Sequence, residues 1–202
     1  MITEEALKAL EKEAIENPHS VFAQHRLAIA YFNSGKFQEA KEAFKKVLKL
    51  DPFHFEAMVN LGILLAQEGE LEEAKKAFTF TLKYYPTSLE AWTNLGLIEF
   101  ELGNLDEAEK CYRKALEINE TFAFAWINLS TVLIEKGLFK EAISALEKAK
   151  KYAPETAIIY NNLAVAYYYL NDKKSAIENF KKAKKMGYSV NPEFERILNE
   201  DL

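Results

Sequence analysis

The sequence predicts an all-α fold, an array of antiparallel helix pairs copied along the chain every 34 residues. Three observations carry this. Four of the five prolines, Pro18, Pro52, Pro86 and Pro154, fall on that ruler, with only the mark at Glu120 missing. Four of the seven glycines, Gly35, Gly69, Gly103 and Gly137, keep the same interval. Aligned on the period, position 7 is always leucine (Leu27, Leu61, Leu95, Leu129, Leu163) and position 20 always alanine (Ala40, Ala74, Ala108, Ala142, Ala176). A fixed period of this length is one supersecondary unit repeated, so the units stack, share a continuous core and are expected to have no internal boundary.

Five full units result: 21–54, 55–88, 89–122, 123–156 and 157–190. Within each, position 15 is Gly35, Gly69, Gly103, Gly137 or Asn171, the residue types that suit a left-handed conformation just past a helix end. Helix A is therefore predicted over about positions 1–14 and helix B over about 18–30, and the proline at position 32 blocks any continuation of B. Position 8 is always small (Ala28, Gly62, Gly96, Ser130, Ala164), and placing it opposite the alanine of position 20 lets the two helices approach closely.

The ends need covering, because a stacked array exposes an apolar face at each. Residues 3–16, within the segment 1–20, read as a lone B-type helix, with Ala6 and Leu10 at positions 20 and 24 and Pro18 on schedule. In the segment 191–202, Asn191 reads as an N-cap and Pro192 as a first helical residue, with an apolar stripe of Phe194, Ile197 and Leu198. Both are expected to be capping helices. The face of the first around Leu7 and Leu10 is the candidate for docking a second copy and making a dimer.

These columns resemble the tetratricopeptide repeat, whose pattern is W-x₂-L-G-x₂-Y, then Ala, an aromatic and Pro. The third unit shows Trp92, Leu95, Gly96, Ala108 and Tyr112; the fourth shows Trp126, Leu129, Ala142 and Pro154. Position 24 holds Phe44, Phe78, Tyr112, Leu146 and Phe180, and the resemblance runs over residues 21–190 without a gap. It implies a right-handed superhelical α-solenoid whose A helices line a concave face. The departures are local: Gln24 replaces the large residue at position 4, Glu120 replaces a proline, and Glu99 stands where Tyr31 and Tyr167 keep the family aromatic. A carboxylate at such a half-buried position needs a partner or an exit to water.

Composition narrows the function. The formal net charge is −5 over 202 residues, so neither nucleic acid nor an anionic membrane is an expected partner. The N-terminus lacks the basic region and apolar run of a secretion signal, and no stretch approaches the ~18 apolar residues of a membrane span. The single Cys111 forms no internal disulfide and fits a reducing compartment, so a cytoplasmic location is expected. No catalytic constellation and no phosphate-binding glycine loop are present. His25 and His54 lack the i, i+4 spacing or cysteine partner of a metal pair, so no metal or cofactor is expected. The lysine-rich stretch Lys173–Lys185, interrupted by Glu178, reads as a solvated face.

The resemblance directs attention to positions 2, 5, 6, 9, 12 and 13, and helical spacing independently puts 2, 5, 9 and 12–13 on one stripe. Position 6 is Arg26, Asn60, Asn94, Asn128 and Asn162. Around that row stand Ile29, Ile63 and Leu97 at position 9, Phe32, Phe100 and Tyr168 at position 12, and Phe124 at position 2. An asparagine offers donor and acceptor in the pattern of a peptide group, so a row of them can hold an extended backbone while apolar neighbours supply pockets. Glu56, Glu90, Glu101 and Glu135 would favour a ligand of some basic character. The lysines of the family's chaperone-carboxylate clamp are absent: position 5 reads His25, Val59, Thr93, Ile127 and Asn161. The expected function is a non-catalytic scaffold binding a peptide or helical segment of a partner protein. The rival is a structural protein that self-associates through the ends of the array.

Overall fold

The computed structural model describes residues 2–189 and 191–200, and twelve α-helices lie among them. They are α1 (Glu4–Glu16), α2 (Val21–Asn33), α3 (Phe37–Leu50), α4 (Phe55–Gln67), α5 (Leu71–Tyr84) and α6 (Leu89–Glu101). After these come α7 (Leu105–Ile118), α8 (Ala123–Glu135), α9 (Phe139–Tyr152), α10 (Ala157–Tyr169), α11 (Lys173–Lys185) and α12 (Pro192–Glu200). Helices A and B of each repeat therefore start and stop within a residue of the predicted positions.

The turn inside each repeat is built the same way. Gly35 takes φ +72°, its N–H donates to Phe32 O, and the Lys36 N–H reaches back to Tyr31 O. This is the paired bonding that satisfies the last carbonyls of a helix. Asn171 adopts φ +60° and repeats the pattern with bonds to Tyr168 O and Tyr167 O, so asparagine substitutes for glycine as expected.

Contacts divide the chain into two compact units, residues 1–98 and 99–202, with the division inside α6. This differs from the single undivided core expected from the repeat, and it follows from an array in which each element touches only its neighbours. In the first unit, α2 and α3 bury Ala28, Ala40, Phe44 and Val47 against Ala57 and Leu64 of α4. In the second, Leu146 and Ala149 of α9 pack with Ile159, Tyr160 and Leu163 of α10. All five residues at position 20 and all five at position 24 are buried.

The small residue at position 8 shares a core cluster with the alanine of position 20, as Ala28 does with Ala40 and Ala164 with Ala176. The position-24 ring closes on it as well: a methyl added at Gly62 would lie 2.8 Å from Cζ of Phe78.

At the N-terminal end, α1 lays Leu7, Leu10 and Ala14 against Leu27, Ala30 and Tyr31. Of the face around Leu7 and Leu10, the candidate for docking a second copy, Leu7 is buried against α2 and Leu10 is half-buried. The departure Gln24 helps to hold this helix: its buried amide donates to Ala14 O at 2.7 Å and Asn17 O at 3.3 Å. The same device recurs wherever position 4 carries a donor. Trp92 Nε1 bonds Pro86 O and Trp126 Nε1 bonds Glu120 O, both at 2.8 Å, and Tyr160 OH bonds Pro154 O at 2.9 Å. Position 4 ties four of the five repeats to the segment before them, Met58 being the exception, and the loop carbonyl serves whether it belongs to proline or to Glu120.

At the other end, Asn191 Oδ1 accepts from the N–H groups of Glu193 and Phe194, giving the expected N-cap of α12. Phe194 and Leu198 pack against Ala164, Ala176 and Phe180. The side chain of Ile197 lies outside the described residues.

Two ion clusters join neighbouring repeats. In the first unit, Lys41 Nζ bonds Glu68, and Glu70 at 2.7 Å. In the second, Lys136 Nζ bonds Asp106 at 2.6 Å and Glu109 at 2.7 Å. The two carboxylate partners raise each lysine pKa above its ordinary value.

Candidate functional site

Helix A of each repeat carries the columns singled out by the sequence. Their side chains differ in what they already bind. In the first unit, Arg26 is clasped by Glu13 of α1 through both carboxylate oxygens, at 2.9 and 3.0 Å, with its guanidinium over the Phe22 ring. It is an internal ion pair rather than a free groove cation. Phe32 leans edge-on against Phe37 and Phe44, so it serves the core as much as any surface. Ile29 and Asn60 are half-buried and line a cavity of about 550 Å³ with His25, Glu56, Ile2 and Leu10. Ile63 is half-buried and Leu97 is 37% exposed. Asn94 turns its Nδ2 to Glu90 O of its own helix, at 2.9 Å.

His25 and His54 come together in this unit, with ring centroids 4.4 Å apart, and His25 Nε2 lies 3.1 Å from Glu56 Oε2. Burial and the neighbouring His54 lower the His25 pKa, and Glu56 opposes them. His54 Nδ1 is occupied as the N-cap acceptor of the Ala57 N–H, at 3.4 Å. Among the described residues no group of three or more His, Cys, Asp or Glu is placed to hold a metal ion.

In the second unit, Phe100 is half-buried and Phe124 is 49% exposed. Asn162 Nδ2 donates to Thr131 Oγ1 at 3.3 Å and its Oδ1 accepts from Asn161 at 3.2 Å. Asn128 is different: its Nδ2 is shielded from solvent and has no protein acceptor. Tyr168 packs edge-on against Phe194 of α12, so the tail already walls one side of the last groove position. The asparagine row is therefore one residue type in three bonding states, at Asn94, Asn128 and Asn162. Glu99, the carboxylate out of place in the family pattern, is only 4% exposed and accepts from Asn104 Nδ2 at 2.8 Å, which gives it a structural partner. Cys111 is buried.

The sequence profile of the cilia and flagella-associated protein 70 C-terminal domain, a tetratricopeptide-repeat domain, matches residues 2–189. The chain belongs to that family. Solved tetratricopeptide-repeat structures superpose well. The crystal structure of MamA protein is 26% identical, with a TM-score of 0.75 over 85% of this chain and 96% of that one. MamA from Desulfovibrio magneticus is 25% identical, with a TM-score of 0.70 over 76% and 86% of the two chains. YrrB, described as a TPR protein with an unusual peptide-binding site, is 23% identical, with a TM-score of 0.75 over 90% and 93%. At that identity the likeness to YrrB shows the fold alone. No curated protein matches the chain. No described helix of this tetratricopeptide-repeat array is long and apolar enough to cross a membrane.

Proposed function

We propose that this chain is a non-catalytic scaffold that holds a peptide or helical segment of a partner protein against its A helices. The observation that carries the reading is Asn128. Its side chain is half-buried in the column whose chemistry matches a peptide group, and its Nδ2 has no protein acceptor, so a turn of the amide about χ2 offers an unused donor to a peptide carbonyl. Phe124, four residues earlier on the same helix and half exposed, supplies apolar area beside it. Asn94 and Asn162 each hold one amide N–H in a bond within the protein, which fixes the amide's orientation.

The test is affinity capture of partners by the wild-type chain, by Asn128→Ala and by Phe124→Glu, with affinities then measured on a captured segment. Asn128→Ala is expected to weaken binding by about 1–2 kcal/mol through one lost hydrogen bond to a desolvated group. Phe124→Glu is expected to weaken it further by removing apolar contact. Both variants should unfold at the wild-type temperature. A partner that binds all three proteins equally well removes this face from the proposal.

A further inference from the structure

We infer that the second unit holds a recognition site for an organic cation, and that its ligand is the lysine or arginine side chain of a partner peptide. The peptide part rests on the scaffold reading above; the cation part stands on the geometry of the cavity itself.

The cavity, an open cleft of about 620 Å³, lies at the end of the last repeat, where α10 meets the tail. Three tyrosines and a phenylalanine line it: Tyr168, Tyr169, Tyr188 and Phe194. Tyr168 meets Phe194 at 87° and Tyr169 at 72°, with 5.7 Å between centroids in both pairs. The rings therefore stand on walls of different orientation rather than in one stack. The face of an aromatic ring is its negative pole, and a cation within about 6 Å of the centroid is attracted to it. Glu193 adds a full negative charge to the lining. Asn161 donates one amide N–H to Asn162, and its carbonyl oxygen, which that bond does not use, is the acceptor it offers a cation. No lysine or arginine lines the cavity, so an anion finds no counter-charge there.

The walls are fixed before any ligand arrives. Tyr168 and Phe194 pack on Ala164, Ala176, Phe180 and Leu198, and Tyr169 stacks flat on Phe139 at 4.8 Å. Asn191 caps α12 and so orients Glu193 and Phe194. The positive end of α12 would oppose a cation, but Glu193 in its first turn offsets it, while Glu195 is already paired with Lys184. Asn161, Val165 and Tyr168 occupy groove positions 5, 9 and 12 of the last repeat, which is how a bound peptide would deliver a side chain to this cavity.

The experiment titrates small probes into the full chain and follows aromatic ring resonances by NMR. The probes are the acetylated amides of arginine and trimethyllysine, with the neutral norleucine amide as control. The cationic probes should shift Tyr168, Tyr188 and Phe194 and bind about three- to tenfold more tightly than norleucine. Glu193→Gln, on an exposed residue, should cut that preference by about two- to fivefold while leaving the norleucine response unchanged. Tyr168→Phe should retain cation binding and Tyr168→Leu should lose it. Because Tyr168→Leu could also loosen α12, the ligand series and Glu193→Gln decide the matter. Equal binding of the neutral control, or no shift at these rings even at tens of millimolar, overturns the inference. Cation binding that persists in a chain capturing no peptide would leave the cavity standing and remove the groove. Peptide capture without cation preference would do the reverse.

Discussion

Replacing Gln24 by leucine, apolar and of similar size, should weaken the protein at one place, the seat of α1. Gln24 is 1% exposed and its amide reaches two carbonyls at the end of that helix, at 2.7 and 3.3 Å. A buried carbonyl left without a donor costs about 1–3 kcal/mol, and the shorter bond, to Ala14 O, is the one that matters. Leucine recovers part of this by burying more apolar area, so a net loss of about 1–2 kcal/mol in the docking of α1 is expected. The Arg26–Glu13 pair and the Tyr31–Glu11 hydrogen bond remain, but such partly exposed contacts are worth only about 0.5–1 kcal/mol each. Hydrogen exchange reads the effect directly. Amides in the middle of α1 should exchange about five- to thirtyfold faster, while those in the centre of α3 are unchanged. Unaltered protection in α1, or equal loss in both helices, would refute the argument.

Other outcomes follow from the same contacts. Gly62→Ala should destabilise the wild type by about 1–2 kcal/mol through its clash with Phe78, yet stabilise a Phe78→Leu background, where helix propensity favours alanine by about 1 kcal/mol. Chemical denaturation of the four proteins gives the coupling, and additivity would contradict the contact. Tyr31, through burial and its hydrogen bond to Glu11, has its pKa pushed up to about 12 from 10.0. The unfolded chain releases this proton first, so its contribution to stability is intact below pH 10 and falls as pH rises towards 12. Ultraviolet titration of wild type against Tyr31→Phe should show the late ionisation, and Glu11→Gln should bring it part of the way down. Cys111, buried in α7, should react with a thiol reagent only at the rate of unfolding; rapid labelling of the native protein would place the thiol at the surface.

The helix pairs were legible because the period exposes them: glycine, alanine and leucine columns are steric demands that every copy must meet. Gln24 was legible as a departure but its purpose was not, because the donor role of position 4 is visible only when Trp92, Trp126 and Tyr160 are seen bonding the preceding loop. The asparagine row was legible as a column and illegible as a set of bonds. Asn94 and Asn128 are the same residue type at the same position, yet one amide folds back on its helix and the other is left unpaired. Arg26, on α2, is paired with Glu13 of α1, which repeat periodicity alone could not assign. The aromatic cavity escaped because Tyr188 and Phe194 lie at or beyond the end of the last repeat and join Tyr168 only through the tail.

The two lysine clusters occupy one location in the repeat with their charges exchanged. Lys41 at position 21 meets Glu68 at position 14 of the next repeat, whereas Glu109 at position 21 meets Lys136 at position 14. The cores of the repeats are nearly interchangeable, so these contacts distinguish one neighbour from another. Setting the third repeat before the second would press Glu109 against Glu68, and setting the first before the fourth would oppose Lys41 with Lys136. Like charges at such range are repulsive. Two of the four joints thus carry an address: their repeats share one shape, and which neighbour each accepts is written in the sign of a charge.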